Sequence, residues 1–378
     1  MKNLEHLHVP KYVQLMMKLR EQIESNVLKA GDSLPTRERL MKENNLSLST
    51  VTRAITELER QGWLISRQGS GTFVVKRNHN DGEMEPDPRL VGLLLPTSNL
   101  QSYTLAQELA IESKDYDMKI ITMFSPEDEE VELNYSRYLF EIKVKALIWS
   151  PVWPKRHIGV ASYFAKHKIP VILCEKVNDH LGPNCYSITT DHFGGIHSAL
   201  QHLLELGHRR IAYVGPRSSD SDFGPIPERW SAYKDTMKEH NLWDPEELVI
   251  NSSIFQEWHH YSDHIRSLFN KSKPPTAIVG YDDTIALDAA RCLISLGYRI
   301  PEEISIVGNG DYQASRYSFP RLTTISMCQA EYVDTIMRNL HNLFLNNGSS
   351  EIAPVTVVSQ RLILRESAMA VADMSRTN

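Results

Sequence analysis

The sequence predicts an α/β protein in which a small module of helices and a hairpin precedes a large body of two doubly wound parallel sheets. Within residues 31–77, two short helical segments are followed by a glycine stop and a glycine-rich hairpin. From Leu90 onward, short apolar runs alternate with helical patterns. Charge divides the chain in the same way. Residues 1–77 hold 13 basic and 8 acidic residues, whereas the remainder holds 28 basic and 39 acidic residues.

The first helix of the module has a defined start and a defined end. Thr36 follows Leu34-Pro35 and is placed to accept a backbone N–H of the first turn. Leu40 and Met41 supply the apolar side of this helix. Asn44-Asn45 end it, because short amide side chains tolerate left-handed backbone.

The second helix is amphipathic and is capped by Ser47 or Ser49. Apolar residues recur at steps of three and four, which predicts one buried face made by Val51, Ala54, Ile55 and Leu58. Gly62 is a left-handed C-terminal stop. Two strands then flank Gln68-Gly69-Ser70-Gly71, which predicts a hairpin wing.

This order of elements is a winged helix-turn-helix, which points to DNA. A helix of this size fits the major groove, and its N-terminal residues meet the base edges. A basic module on an acidic body suits binding to phosphate by one end of the chain only. The alternative is a helical packing module that contacts no nucleic acid.

The module resembles the winged-helix domain of the GntR family of bacterial transcription regulators from about Val9 to Arg77. The resemblance rests on Leu34-Pro35, Arg37-Glu38-Arg39-Leu40, Ser49-Thr50-Val51, Leu58, Gly62-Trp63-Leu64 and Gly69-Ser70-Gly71-Thr72-Phe73-Val74. It implies that Arg37 or Arg39, the start of the second helix and the wing contact DNA. The candidate DNA-binding residues are Arg37, Arg39, Ser47, Ser49, Thr50, Thr52, Arg53, Gln68, Gly69, Ser70, Gly71 and Thr72.

Two departures from that family concern the operator. Leu48 and Thr52 stand where the family usually has arginine, and Arg53 is a candidate to replace the second of these. The operator is therefore expected to differ from the common family sequence.

Length and composition limit the remaining possibilities. A chain of 378 residues exceeds one typical domain, and no apolar run reaches the ~18 residues of a membrane span. The polar N-terminus lacks a secretory segment, and four scattered cysteines suit a reduced, cytoplasmic protein without metal. Residues 78–89 lack an apolar period and read as a linker.

The body repeats a strand–helix rhythm twice, which predicts two lobes with a ligand between the carboxyl ends of their strands. It resembles the sugar-responsive effector domain of the LacI family, itself similar to periplasmic binding proteins, over about residues 90–368. The residues that carry this resemblance include Ile169-Pro170-Val171, Asp191, Gly194-Gly195, Leu203–Ile211, Pro275–Ile278, Asp282-Asp283, Ile304–Gly308 and Leu322–Ile325. A GntR-type head on such a body is the layout of arabinose-repressor-like regulators.

The resemblance also implies how the chain is shared between the lobes and that the protein is a homodimer. One lobe would hold about 90–188 and 326–348, and the other 189–322 and 353–368. Val355–Val358 would be an outlying strand that returns to the second lobe.

Effector contacts carry over position by position from that family. They fall on Thr97, Ser98, Trp149, Ser150, Glu175, Arg229, Asp282 and Asp311. Asp191 is a further candidate whose alternative role is to fix the crossover between lobes, and Arg229 has a helix-start ion pair as its alternative. Trp149, Trp153, Phe255 and Trp258 are candidates to stack on a sugar ring, and Trp153 has packing or a surface position as its alternative. Carboxylates, a guanidinium and an indole face suit a polyol.

One departure affects the effector. The sequence reads Val307-Gly308-Asn309-Gly310-Asp311, so glycine stands where the family places a ligand aspartate. Either Asn309 or Asp311 replaces the missing ligand, or the effector occupies the space that the glycine leaves.

The function predicted from the sequence is a DNA-binding transcriptional regulator, a repressor of carbohydrate-utilisation genes, controlled by a small sugar or sugar derivative. Induction and co-repression are both allowed. The alternatives are a GntR-headed regulator with a pyridoxal-phosphate enzyme-like body and a sugar-binding protein without a DNA role. The acids at 127–130 read as helix-start chemistry and His259, His260 and His264 as a solvated helix face, so no catalytic group, cofactor or metal site is expected.

Overall fold

The structure is a computed structural model, and it describes residues 11–24, 27–60, 62–67, 71–75, 89–97, 100–126, 128–151, 154–175, 183–217, 225–244, 248–251, 259–345 and 352–371. The chain divides into two compact units, Met1–Glu85 and Pro86–Asn378. The first unit holds the basic module and the second holds the acidic body. The linker expected at 78–89 lies outside the described residues except for Arg89.

The described part of the first unit contains three helices and a two-stranded hairpin. Their bounds are α1 Lys11–Glu24, α2 Arg37–Asn44, α3 Leu48–Arg60, β1 Leu64–Arg67 and β2 Gly71–Val74. The strands are antiparallel, with Leu64 opposite Val74 and Arg67 opposite Gly71. The two predicted helices and the hairpin are present, whereas α1 is an element that the sequence patterns did not reveal.

The ends of α2 and α3 follow the predicted capping chemistry. The Thr36 hydroxyl accepts the Arg39 N–H at 3.3 Å, and Asn45 adopts a left-handed φ of 51° after α2. Ser47 rather than Ser49 caps α3, because its Oγ accepts the Thr50 N–H at 3.3 Å. Gly62 follows α3 with a φ of +74°, a conformation that other L residues adopt only with strain.

The core of the first unit lies between α1, α3 and the hairpin. The predicted stripe of Val51, Ala54, Ile55 and Leu58 is buried and packs against leucines of α1 and α2. Trp63 and Val74 close the core from the hairpin side. The opposite side of α3 is therefore left for solvent or for a partner.

The second unit contains two six-stranded sheets, of which the first is wholly parallel in its described pairings. Its strands are β3 Leu90–Pro96, β4 Lys119–Ser125, β5 Ala146–Trp149, β6 Val171–Cys174, β7 Cys185–Thr190 and β13 Val355–Val358, in the order β13-β7-β6-β5-β3-β4. Its helices are α4 Leu100–Glu112, α5 Glu129–Glu141, α6 Pro154–Lys166 and α12 Gln329–Leu345. The central strands are apolar and buried throughout, as strands covered on both faces are.

The second sheet repeats this architecture. Its strands are β8 Ile211–Gly215, β9 Val249–Asn251, β10 Ala277–Gly280, β11 Ser305–Asn309, β12 Thr323–Ser326 and β14 Arg361–Ile363, in the order β14-β12-β11-β10-β8-β9. Only β14 runs antiparallel to its neighbour in the described pairings. Its helices are α7 His192–Glu205, α8 Pro225–Glu239, α9 His259–Phe269, α10 Asp283–Ser295 and α11 Gln313–Tyr317.

The described residues pass between the two sheets three times, and the pairing of β13 corrects one prediction. The passages follow β7 at Thr190-Asp191, β12 at Ser326–Cys328 and β13 at Ser359-Gln360. Val355–Val358 was expected in the second lobe, but β13 pairs with β7 of the first sheet, with Val355 opposite Ser187. A short run of valines suits the edge of either sheet, and only the distant pairing partner decides between them.

Candidate functional site

The solvent-facing side of α3 begins with a small cluster of hydroxyl groups. The Ser47 Oγ lies 2.7 Å from the Thr50 Oγ1 and 3.0 Å from the Ser49 Oγ. These bonds hold the three side chains together at the first turn of the helix. The cluster places hydroxyl groups and backbone N–H groups at the end of α3 that would meet a phosphate backbone.

Arg53 does not extend freely from this face. Its guanidinium carbon lies 4.0 Å from the centre of the Tyr12 ring, and an N–H donates to the Tyr12 hydroxyl at 3.4 Å. Tyr12 belongs to α1, so a side chain from outside the helix-turn-helix fixes the direction of Arg53. That Arg53 replaces the arginine missing at position 52 stays a prediction. Any contact that Arg53 makes with DNA starts from this stacked position.

The other predicted DNA-binding residues surround α3. Arg37 is exposed at the start of α2, and Arg39 pairs with Glu43 at 2.7 Å. On the hairpin, the Thr72 hydroxyl lies 2.8 Å from that of Ser66, and Gly71 has a φ of +111°. The remaining predicted wing residues, Gln68, Gly69 and Ser70, lie outside the described residues.

In the second unit, the polar side chains that follow β6 and β7 meet those of α7 and α8. Glu175 comes directly after β6 and His192 begins α7, and their Oε2 and Nε2 atoms are 2.6 Å apart. Glu175 has a φ of +57°, which is uncommon for a residue other than glycine, and its N–H is held by the Tyr332 hydroxyl at 3.2 Å. The Glu175–His192 contact joins the first lobe to the second, whereas Tyr332 belongs to α12 of the first lobe.

Arg229 lies on the other side of His192. It is 5% exposed, donates to the Tyr281 carbonyl at 2.9 Å, and stacks on the Tyr281 ring with its guanidinium carbon 4.6 Å from the ring centre. Another guanidinium nitrogen lies 3.3 Å from the His192 Nδ1. Because a guanidinium only donates, Nδ1 accepts, which leaves the Nε2 proton for Glu175.

Gln360 brings the third passage between the lobes into the same network. Its Nε2 donates to the Thr190 Oγ1 at 2.8 Å and lies 3.2 Å from the His192 Nδ1. The Thr190 hydroxyl in turn donates to the Glu175 Oε2 at 3.3 Å. A ring of bonds thus ties residues of both lobes at two of the three crossovers, where a hinge movement would change them.

Carboxylates dominate the charge around this network. Burial raises the pKa of Glu228 to about 7, with Glu175 adding to the effect, and burial also raises the pKa of Asp282. Burial would raise the pKa of Glu175 too, but the His192 imidazole and the Arg229 guanidinium lower it on balance. Asp191 and Asp282 cap α7 and α10 by accepting the Gly194 and Ile285 N–H groups, each at 2.8 Å.

The structure thus brings Glu175, Asp191 and Arg229 to one place, with Asp282 directly after the Tyr281 that Arg229 contacts. The other described candidates have different surroundings. The Trp149 indole is buried and donates to Glu132 at 2.8 Å, Thr97 is exposed, and Ser150 is half-buried. Asp311 pairs with Arg316 at 2.8 Å and with Arg365. Ser98 and Trp258, together with Trp153 and Phe255, lie outside the described residues.

Sequence reasoning missed several residues of this cleft. His192, Gln360 and Tyr281 contact the predicted residues but were not predicted to do so. The available signal was position, because His192 follows a helix-capping aspartate and Tyr281 lies just beyond a strand end. Asn309, which was predicted as one possible replacement for the missing aspartate, lies at the carboxyl end of β11, is fully buried, and has no hydrogen-bond partner for either side-chain amide atom among the described residues.

Comparisons with known proteins agree with the division of the chain into a DNA-binding head and a larger second unit. Residues 11–74 match the bacterial regulatory proteins of the gntR family, and residues 200–368 match the periplasmic binding protein-like domain. The chain is a gntR-type head fused to a periplasmic binding protein-like domain. The second match begins inside α7, so it covers mainly the second lobe.

Two relatives match most of the length of the chain. The arabinose metabolism transcriptional repressor of Geobacillus stearothermophilus is 26% identical over 84% of this chain and 86% of its own length. The protein of the same description from Halalkalibacterium halodurans is 28% identical over 83% and 84%. The lac repressor dimer bound to operator and an anti-inducer shares the fold, with a TM-score of 0.63, 22% identity and coverage of 75% and 94%.

These relatives are transcription regulators. In the gntR-headed chain itself, none of the helices that the structure describes has the length and apolar character needed to cross a membrane.

Proposed function

We propose that the protein is a transcriptional repressor of carbohydrate-utilisation genes whose affinity for operator DNA is controlled by a small sugar or sugar derivative. The observation that carries the proposal is the presence, on one chain, of an exposed recognition helix and a polar cleft at the crossovers between two lobes. The names of the two bacterial relatives support the same assignment. We propose no catalytic activity and no cofactor.

The charge of the cleft favours an uncharged polyol. Among the described residues, the carboxyl groups of Glu175, Asp191, Glu228 and Asp282 lie around Arg229 and His192, and Arg229 is already bound to Tyr281. Carboxylates accept hydrogen bonds from sugar hydroxyls, whereas they repel a phosphate or an acid. A neutral pentose or hexose therefore fits better than a sugar phosphate.

Control of DNA binding follows from the position of the cleft. A ligand held between the lobes stabilises one lobe arrangement over another, and the Glu175–His192 contact and the Gln360 bonds change as the lobes move. Such coupling between sites is typically worth about 1–3 kcal/mol. We propose that closure on the effector lowers operator affinity, and the experiment below also detects the opposite sign.

We further propose that the protein acts as a homodimer on a pseudo-palindromic operator in the cytoplasm, where its DNA lies. The second lobe exposes large apolar side chains around α11, among them Tyr317 and Phe319, which is 94% exposed. Such side chains are typical of an association surface. We expect sedimentation to give a dimer, and Phe319→Asp to weaken it while Leu345→Asp, at an exposed position of α12, does not.

The test of the proposed function has two stages on the full chain. A thermal-shift screen of pentoses, hexoses and their phosphates identifies the effector, because a ligand raises the melting temperature by mass action. Fluorescence anisotropy then measures affinity for a duplex selected from a random-sequence pool, with and without that sugar. Absence of any selected duplex contradicts the DNA assignment, and a sugar that binds without changing duplex affinity contradicts the control.

A further inference from the structure

The outer face of α3 carries a stripe of side chains that end in methyl groups, and this stripe begins at the first residue of the helix. Leu48, Thr52 and Thr56 follow one another at four-residue steps and therefore share one stripe of the helix. Leu48 is 52% exposed, Thr56 is exposed and Thr52 is half-exposed. The head thus has an apolar side chain in water at the N-terminal end of α3, the end that meets the base edges in helix-turn-helix proteins.

Neither basic residue of α3 lies beside Leu48 in this stripe. Arg53 is stacked on Tyr12 at 4.0 Å, and Arg60, four residues beyond Thr56, is the last residue of the helix, about 18 Å along the axis from Leu48. The hydroxyls of Ser49 and Thr50 are each bonded to that of Ser47. Guanine is most often read by an arginine, whereas a thymine methyl is read by an apolar side chain.

We propose that Leu48 reads the C5-methyl group of a thymine in each operator half-site, with Thr52 supplying the adjoining methyl contact. This inference rests on the proposed DNA-binding function and concerns the base that the recognition helix selects. Burial of the Leu48 side chain against the thymine removes apolar surface from water on both molecules. The half-site position facing Leu48 is therefore thymine, and it does not tolerate guanine.

The first experiment finds the position. The full chain and its Leu48→Arg variant each select duplexes from a random-sequence pool. The wild-type protein is expected to enrich a thymine at one position of each half-site, and the variant to enrich guanine there. Enrichment of the same base by both proteins at every position overturns the proposal.

The second experiment tests the methyl contact itself. Deoxyuridine replaces the thymine at that position, which removes the methyl group and keeps the pairing. Wild-type affinity is expected to fall about fourfold, the equivalent of ~0.8 kcal/mol for one buried methyl group. Leu48→Ala is expected to bind the thymine duplex more weakly and to show little further loss on the deoxyuridine duplex. Equal losses for both proteins overturn the proposal.

A matched control separates a specific contact from a general loss of apolar surface. Val27 is 68% exposed in the same unit but lies outside α3. Val27→Ala is expected to keep the fourfold difference between thymine and deoxyuridine, and loss of that difference in this variant contradicts the proposal. If the wild-type chain enriches no duplex at all, the proposed function itself fails, whereas enrichment without thymine dependence refutes the role of Leu48 alone.

Discussion

The exposed face of α3 and the cleft between the lobes differ in how many partners their side chains already have. On α3, the side chains are solvent-facing and bond mainly to their near neighbours in the chain. In the cleft, Glu175, His192 and Arg229 come from three separate elements and hold one another. The first site is prepared for a large external partner, and the second is a closed network that a small ligand must enter.

This difference predicts that substitutions in the cleft affect folding and that those on the head affect binding alone. Arg229→Met removes the guanidinium that donates to the buried Tyr281 carbonyl, and it leaves the His192 Nδ1 with the Gln360 amide alone of the two donors described above. We expect a loss of about 3 kcal/mol in the free energy of unfolding, as when one partner of a buried charged contact is removed. Urea unfolding measures it.

The matched control is Arg338→Met, which removes an exposed arginine paired with Asp334 on α12. We expect a change below about 0.5 kcal/mol for this surface pair. Equal losses for the two variants would show that the cleft network is no more important to folding than a surface ion pair.

On the head, Arg37→Ala is expected to weaken DNA binding without changing stability. Arg37 is exposed at the start of α2, so its loss removes no core contact. If it contacts a phosphate, the slope of log affinity against log salt falls by about one. Anisotropy titrations from low to high salt measure the slope. Arg338→Ala is the control, and its slope is expected to equal that of the wild-type protein. An unchanged slope in Arg37→Ala would remove this residue from the DNA contacts.

The charge of the cleft can be tested through pH. Burial raises the pKa of Glu228 from its ordinary 4.5 to about 7. The folded protein therefore holds this proton more tightly than the unfolded chain, and the contribution of Glu228 to stability is lost as the pH rises from about 4.5 to 7. We expect Glu228→Gln to flatten the fall in melting temperature over this range.

The control for pH is Glu239→Gln, at an exposed position on the same helix. Its melting profile is expected to follow that of the wild-type protein from pH 4.5 to 8. A profile of Glu228→Gln that cannot be distinguished from this control would mean that Glu228 is not buried beside Glu175.

The smallest expected effect concerns Asn309. Its buried amide has no hydrogen-bond partner among the described residues, so Asn309→Leu replaces a desolvated polar group by an apolar one of similar size. We expect the free energy of unfolding to rise by about 1 kcal/mol, while affinity for the effector falls. Denaturation and sugar titration of the same variant check both. A loss of stability would instead mean that the amide is satisfied by water.

How much the sequence revealed differs between the two regions for a physical reason. The ends and the buried stripe of the helix-turn-helix were predicted because they depend on local sequence. Thr36, Asn45 and Gly62 start or end helices through contacts and backbone conformations that involve only residues a few positions away. The doubly wound sheets were also predicted from their strand–helix rhythm. The stacking of Arg53 on Tyr12 was not, because the two residues lie on different helices.

The cleft was predicted only in part. Glu175, Asp191, Arg229 and Asp282 were candidates from a family resemblance, whereas His192 and Gln360 join them only through pairings between distant segments. The same limitation explains the misplaced β13, whose partner is decided by nonlocal pairing. Asp311, a candidate ligand, bonds to Arg365 from a strand end that no local pattern associates with it.

The account depends most on the coupling between the head and the cleft. The direct test measures affinity for the selected duplex with and without a saturating sugar, and affinity for the sugar with and without saturating duplex. Each pair of measurements gives the ratio of the affinity without the other ligand to the affinity with it. We predict that the two ratios are equal and lie at about 5- to 150-fold, because coupling between two sites is reciprocal. Ratios of one in both titrations, for every sugar that raises the melting temperature, would contradict the account.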